Sequence, residues 1–233
     1  MTQWTLSAGQ FTALWAQTGQ DRIPFPFRGA SPLSDAVEFA AEQNRIRAEF
    51  DAPEHDNLAA ALRVLAQPEL RIEISGSLGE SNDNPIRLLG GMARGHAVAA
   101  QQHAGAEVVI RRCEPYDLGR QLIAQLPDVD AGHAPGVVFP REEMTGRAEL
   151  SVRARAVTEL LARRSTSQGT VLVIRGGRES SHSVGGVAWR DLDADGRYLV
   201  WGDTTVAVEP GTSWDLLGAV DRLTGRIPAG HPV

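Results

Sequence analysis

The sequence has no lysine at all and a single cysteine, Cys113. Without lysine, the chain cannot form a Schiff base through a lysine amine or bind a phosphate in the way that a P-loop lysine does. One cysteine cannot form an internal disulfide, so nothing in the chain requires an oxidising compartment. All 23 basic residues are arginine, a bias that is more typical of a GC-rich genome than of any one function.

The sequence also lacks the marks of export, of membrane insertion and of nucleic-acid binding. The N-terminal MTQWTLSAGQF has neither the basic region nor the apolar segment of a signal peptide, and no stretch approaches 18 apolar residues. We therefore expect a cytoplasmic protein without membrane insertion. The net charge of -6 argues against a nucleic-acid partner, because nucleic-acid-binding domains are usually basic.

Motifs for metals, cofactors and catalysis are missing as well. The six histidines are scattered, and none has the spacing of a metal site. Gly90-Gly91 and Gly185-Gly186 do not belong to a phosphate-binding loop; a glycine inside a strand more often marks a β-bulge or a close approach of the backbone. We therefore predict a protein with no catalytic residue, no cofactor and no bound metal.

One stretch, DLDADGRYLVWGD (191–203), looks at first like a calcium loop, since Asp191, Asp193 and Asp195 alternate before a glycine. An EF-hand needs a bidentate glutamate at its twelfth position, where this chain has Gly202. An Asp-Gly dipeptide between two strand-like segments predicts a β-hairpin instead, with the three aspartates as solvated turn residues. A calcium-regulated adaptor is the third of our three hypotheses.

Helix and strand signals occur twice in the same order. A helix around Leu58–Leu65, strands near 70–74, 86–93, 96–101 and 107–111 and a helix over 115–127 are followed by a helix over 152–164, strands near 170–175, 184–191, 197–201 and 205–208 and a helix after Thr212. LGGMAR (89–94) aligns with VGGVAW (184–189), and VVIRRCEPYDLGRQL (108–122) aligns without a gap with VAVEPGTSWDLLGAV (206–220). The alternative is that the match arises by chance from the turn and cap residues that are common in α+β proteins.

Two further helices precede the first copy. One begins at Ser7, which forms a capping box with Gln10, and the other covers 34–50. We predict an α+β fold: a central antiparallel β-sheet with a quasi-twofold internal repeat, flanked by helical bundles. The chain should form one domain over 1–233, with halves at about 1–127 and 145–226.

Two features indicate binding, and one invites an enzymatic interpretation. The stretch GSLGESNDNP (76–85) predicts a long polar loop between two strands, and Trp4, Trp15 and Trp214 lie on or beside helices, where tryptophan is usually core but is also enriched at interfaces. The segment GGRESSHS (176–183) places serines beside a histidine. An enzyme of unknown type would need that segment to meet a carboxylate such as Asp191 or Asp203, and this is our second hypothesis.

Several stretches together resemble the EspG family, the cytosolic chaperones of actinobacterial type VII (ESX) secretion. They are LSAGQFTALWAQTG with the following PFPF (24–27), LRVLAQPELRIEI (62–74), and WRDLDADGRYLVW followed by TVAVEPGT (205–212). The resemblance covers nearly the whole chain and implies a non-enzymatic protein that grips the tip of a PPE-type protein paired with a PE partner and keeps it soluble before export.

The resemblance also implies a binding surface, made of the loop between the first two sheet strands, the sheet and the C-terminal helices. The partner-binding residues carried over in this way are Gly79, Glu80, Ser81, Asn82, Asp83, Asn84, Pro85 and Arg87. The substrate pair, the ESX system served and the oligomeric state stay open. A binding chaperone is our first hypothesis.

Overall fold

The order of helices and strands in the computed structural model repeats, as the sequence predicts. The structure describes residues 2–29, 35–81, 83–144, 149–177 and 180–225. In these ranges the elements are β1 (Gln3–Leu6), α1 (Ala8–Ala16), α2 (Ala36–Glu49), α3 (Asp56–Ala66), β2 (Leu70–Leu78), β3 (Asn84–Ala93), β4 (His96–Gln102), β5 (Val108–Cys113), α4 (Leu118–Ile123), β6 (Val137–Pro140), α5 (Arg141–Met144), α6 (Val152–Leu161), β7 (Ser165–Arg175), β8 (His182–Leu192), β9 (Gly196–Trp201), β10 (Thr205–Pro210) and α7 (Ser213–Leu223). A helix, four strands and a helix thus occur twice, from α3 to α4 and from α6 to α7.

The strands found in the described residues form a ten-stranded antiparallel sheet in the order β1-β5-β4-β3-β2-β7-β8-β9-β10-β6. The predicted α+β class is therefore confirmed. The sequence did not predict β1 or β6, which pair antiparallel with β5 and β10, the last strand of each copy. Each of these two strands has only four residues, too few to show an alternating pattern.

The strands at the centre of the order, β2 and β7, are longer than the sequence predicts. Their additional residues are rich in serine and glycine, a composition that predicts a loop. A Cβ atom added to Gly76 would lie 2.2 Å from the carbonyl oxygen of Gln168, so only glycine allows this close backbone approach.

Contacts divide the chain into two compact units. Unit 1 consists of Met1–Ile74, Arg87–Leu122 and Ile174–Ser183, and unit 2 consists of Ser75–Ile86, Ile123–Val173 and Val184–Val233. Each unit therefore contains a short segment from the opposite half of the chain. That the chain behaves as a single domain stays a prediction.

In unit 1, α1 and α3 cover one face of the strands β3 to β5. Their buried side chains include Phe11, Leu14 and Trp15 from α1, and the rings of Phe11 and Trp15 stack at 5.5 Å. The predicted capping box is present, since the Gln10 amide donates to Ser7 Oγ and the Ser7 amide donates to Gln10 Oε1. The next helix, α2, is capped by Asp35; the predicted start at Ser34 lies outside the described residues.

The helix predicted over 115–127 is shorter than expected. A 3₁₀ turn over Pro115–Asp117 leads into α4, which ends at Ile123. The glycine pair beside it allows close packing, because a Cβ atom on Gly90 would lie 2.6 Å from Leu122 Cδ1. Of the two alternatives for these glycines, a bulge or a close approach, the distances support the close approach.

In unit 2, the sheet is covered on both faces. One face, to which Phe139 of β6 and Tyr198 of β9 contribute, packs against α6 through Val157. The other packs against α7, since a Cβ atom on Gly185 would lie 2.8 Å from Leu223 Cδ2. The capping box predicted for α7 is present at Thr212, whose amide donates to the Asp215 carboxylate at 2.7 Å. None of the helices within the described ranges is both long enough and apolar enough to cross a membrane.

Candidate protein-binding site

The predicted partner-binding loop joins β2 to β3 and is fixed at its first residue. Gly79 has a φ of 76°, a left-handed conformation that favours glycine. Its amide donates to the carbonyl oxygen of Thr166 in β7 at 2.7 Å, and Ser77 Oγ donates to the Gly79 carbonyl oxygen at 3.1 Å. The loop therefore leaves the sheet at a defined point.

Most of the loop is exposed to solvent. Glu80, Ser81, Asp83 and Asn84 are exposed, Gly79 and Pro85 are half-buried, and Asn82 lies outside the described residues. The predicted loop end at Pro85 is wrong, because β3 already begins at Asn84 and accepts a proline near its start. The segment 79–83 that remains carries no apolar side chain, whereas Leu78 at the end of β2 is 43% exposed.

Arg87, the last of the predicted residues, lies in unit 1 and points to the face covered by α1 and α3. It shares that face with Leu89, and its Nη1 is 3.4 Å from Gln102 Oε1 in β4. Burial lowers the pKa of Arg87, and the positive charge of Arg28 lowers it further. Sequence reasoning missed Arg28 and Gln102, because no pattern links the PFPFR connector to the end of a strand.

Unit 2 contains a groove between the sheet and α7. Its volume is about 310 Å³, and its wall is formed by Gly185, Gly186, Val187, Trp201, Gly202, Asp203, Ala219, Arg222 and Leu223. The aliphatic and aromatic residues among these give it an apolar wall, and Asp203 and Arg222 add charges to it. A small apolar side chain of a partner would be buried here.

The loop and the groove, both in unit 2, lie at different levels of the sheet. Thr166, which bonds to Gly79, also donates from its Oγ1 to the carbonyl oxygen of Asp191 at 3.4 Å. Gly185, in the groove, is on the same strand as Asp191, and at ~3.3 Å per residue the two are about 20 Å apart. A partner helix would need about 13 residues to reach from one to the other.

The aspartate run forms the predicted hairpin, with Leu192 paired to Gly196. The prediction that all three aspartates are solvated is wrong. Asp191 is fully buried and makes a bidentate ion pair with Arg197, with its two oxygens 2.7 and 2.9 Å from Nε and Nη2. Only Asp193 is exposed.

Asp195 is engaged in a second polar cluster. Its side chain is 8% exposed and accepts hydrogen bonds from the His133 amide, from Tyr198 Oη and from Arg163 Nη1. Hydrogen bonds, first of all from the His133 amide, hold the pKa of Asp195 below its usual value against the effect of burial. Tyr198 Oη in turn accepts from the Ala134 amide, so the cluster fixes residues 133–134 to the hairpin.

Of the two carboxylates that the enzymatic hypothesis names, Asp191 and Asp203, the first is excluded by its burial. Asp191 has no exposed surface and is bound to Arg197, so it cannot serve a catalytic site at the segment 176–183. Two residues of that segment, Arg178 and Glu179, lie outside the described residues. Across the described part of the chain, no cluster of three or more histidine, cysteine or acidic side chains is arranged to hold a metal ion.

The fold and the site define an α+β sheet protein with a duplicated order of elements, a fixed polar loop and an apolar groove. The sequence model of the EspG family matches residues 7–222, and the chain belongs to that family. The resemblance found in the sequence is thereby confirmed.

Among solved structures, the chain is similar to the Mycobacterium tuberculosis type VII secretion system chaperone EspG5, solved in complex with a PE25–PPE41 dimer. The TM-score is 0.73 at 15% sequence identity, and the match covers 99% of each chain. Among curated proteins, none matches this sequence.

Proposed function

We propose that this chain is a cytoplasmic chaperone of a type VII secretion system that binds a PE/PPE-type pair and keeps it soluble for export. The observation that carries the proposal is the match to the EspG family over residues 7–222. The likeness over both full chains to a chaperone that binds such a pair supports it. The chain acts by binding, without catalysis.

The test is co-expression of the tagged chain with each PE/PPE-type pair of its source genome. We expect one pair to co-purify as a ternary complex and to stay soluble only when the chain is present. If no pair co-purifies and none gains solubility, the proposal is wrong.

Within this function, the groove in unit 2 and the loop bind the partner. The proposed contact residues of the loop are Gly79, Glu80, Ser81, Asn82, Asp83, Asn84 and Pro85, with Arg87 beyond it. The groove supplies the apolar contact that the loop lacks, since exposed apolar surface with a polar rim is typical of protein-binding sites.

Ala219→Glu tests the groove, because it places a charge on the wall formed by α7. Gly218→Glu is the matched control: it adds the same charge to the same helix, but the groove does not include Gly218, and a Cβ atom there would meet only the end of the Arg222 side chain, in ordinary van der Waals contact at 3.7 Å. We expect Ala219→Glu to weaken binding at least tenfold, and the control to bind within about twofold of the wild type, because ~1.4 kcal/mol is a factor of ten. Equal affinities of the two variants would place the apolar contact elsewhere.

A further inference from the structure

In unit 1, Gln102 fixes the position of Arg28. The Gln102 side chain is 1% exposed; its Nε2 donates to the Arg28 carbonyl oxygen at 2.7 Å, and its Oε1 accepts from the Arg28 amide at 2.8 Å. The preceding residue, Phe27, is 6% exposed and packs edge-on against Phe11 at 5.6 Å. The backbone of Arg28 is thus held on both sides, while its side chain is exposed.

Arg87 reaches the same glutamine from the neighbouring strand. Leu88 pairs with Gln101, which puts Arg87 opposite Gln102, and Arg87 Nη1 lies 3.4 Å from Gln102 Oε1. The positive charge of Arg28 is close enough to lower the pKa of Arg87. One glutamine side chain thus contacts both the backbone of Arg28 and the guanidinium group of Arg87, which brings two positively charged residues together.

Within the described ranges, no acidic side chain forms an ion pair with Arg28 or Arg87. The ion pairs found there involve other arginines or histidines, although acidic residues outnumber arginine and lysine by 29 to 23 in the whole chain. Guanidinium stays charged at neutral pH, so the repulsion cannot be relieved by loss of a proton. An anion from outside the chain would relieve it.

The chemistry of the pair selects a carboxylate. Guanidinium groups bind carboxylates through two parallel hydrogen bonds. Gln102 Oε1 accepts the main-chain amide of Arg28 and lies 3.4 Å from one nitrogen of Arg87, and the exposed Arg28 guanidinium is not part of these bonds. The net charge of -6 disfavours the accumulation of free small anions near the chain. A carboxylate on a protein partner does not depend on the local concentration of free anions, because other contacts of the partner hold it in place.

We propose that Arg28 and Arg87, buttressed by Gln102, recognise an aspartate or glutamate side chain of the exported partner. This inference rests on the proposed function, and it adds a charged contact in unit 1 to the apolar groove in unit 2. The pair acts as a specificity element, since a partner without an acidic residue at that point leaves the two arginines unneutralised.

The experiment uses Arg28→Gln, Arg87→Gln and the double variant, with Arg63→Gln, an exposed arginine of α3, as the control. The probe is the PE/PPE-type pair that co-purifies with the wild-type chain, and affinity is measured by calorimetry at 50 mM and 500 mM NaCl. At low salt we expect each single variant to lose about tenfold in affinity and the control to lose less than twofold. At high salt the difference should shrink, because salt screens the contact.

Melting temperatures separate loss of contact from loss of fold. Arg28→Gln relieves a repulsion and keeps the backbone bonds to Gln102, so its melting temperature should not fall below that of the wild type. If the double variant folds and binds as tightly as the wild type, the inference is wrong and the proposed function stands. If the wild type captures no pair, both are wrong.

Discussion

At the scale of single residues, the arginine of the GRYL segment, Arg197, is a buried structural residue. Arg197 has no exposed surface; it pairs with Asp191, donates to Ser213 Oγ at 2.9 Å and donates to the Pro127 carbonyl oxygen at 2.8 Å. One side chain thus ties β8, the start of α7 and the segment after α4 together. The sequence could not reveal this, because a lone Asp and Arg at a hairpin usually lie in solvent.

Removing one partner of this pair should be costly. We expect Asp191→Asn or Arg197→Met to lower the free energy of unfolding by about 3–5 kcal/mol, since either leaves buried polar groups uncompensated. The double variant Asp191→Leu with Arg197→Met should recover part of that loss, because a buried ion pair can be replaced by apolar side chains. Urea unfolding of the three variants measures this, and a single-variant cost below about 1 kcal/mol would contradict the role of the pair.

Asp195 gives a prediction that depends on pH. Its pKa is lower in the folded chain than its usual value, so its contribution to stability is present above the unfolded pKa of about 3.9 and is lost as the pH falls through the lower folded value. Asp195→Asn should cost about 1–3 kcal/mol at pH 7, because an amide would face the Arg163 donor. Below pH 4 the gap between variant and wild type should narrow.

The matched control for this prediction is Asp193→Asn, two residues away in the same turn. Asp193 is exposed and lies 3.8 Å from Arg164, and exposed ion pairs contribute little. Its stability should stay within about 0.5 kcal/mol of the wild type at every pH. A constant gap for Asp195→Asn down to pH 2 would contradict the assignment.

At the scale of elements, helix caps were the most reliable guide from the sequence. The capping boxes at Ser7 and Thr212 are both present, and each copy of the repeat has its helix and its four strands in the predicted order. What the sequence could not show were elements that depend on pairing rather than on side-chain pattern: the short edge strands β1 and β6, and the serine- and glycine-rich ends of β2 and β7. The loop between β2 and β3 lies where the sequence predicts it, but it is shorter than predicted, because β3 begins at Asn84.

The corrected loop can be tested by replacement. Exchanging 80–83 for a Gly-Ser turn leaves Gly79 and its bond to Thr166 in place, so we expect the melting temperature to change by only a few degrees. Affinity for the captured PE/PPE-type pair should fall about tenfold if the loop contributes roughly 1–2 kcal/mol of contacts. A folded variant with undiminished affinity would assign binding to the groove alone.

At the scale of the whole molecule, the two units share strands. The residues of β2 up to Ile74 belong to unit 1, and the rest of that strand belongs to unit 2. The residues of β7 up to Val173 belong to unit 2, and its last two residues belong to unit 1. Since a strand cannot melt in one part without loosening the other, we expect the chain to unfold in one cooperative transition, as the sequence prediction of a single domain requires.

Calorimetry provides the measurement. The calorimetric and van't Hoff enthalpies should agree, and tryptophan fluorescence and far-UV circular dichroism should give the same midpoint. Ala154→Asp, which puts a charge at a fully buried position of unit 2, should lower that midpoint for both probes equally. Two separated transitions in this variant would show that the units unfold independently.

The exchange of segments also sets the order of events during synthesis. Unit 1 includes Ile174–Ser183, so it cannot be complete until the ribosome has polymerised at least 183 of the 233 residues. The helices α1 to α3 and the strands β1 to β5 are synthesised long before that point. Until Ile174–Ser183 is available, part of the apolar surface of unit 1 stays exposed to solvent. The nascent chain of this proposed chaperone therefore passes through a stage in which it is itself prone to aggregation and is a natural client for the cell's general folding machinery.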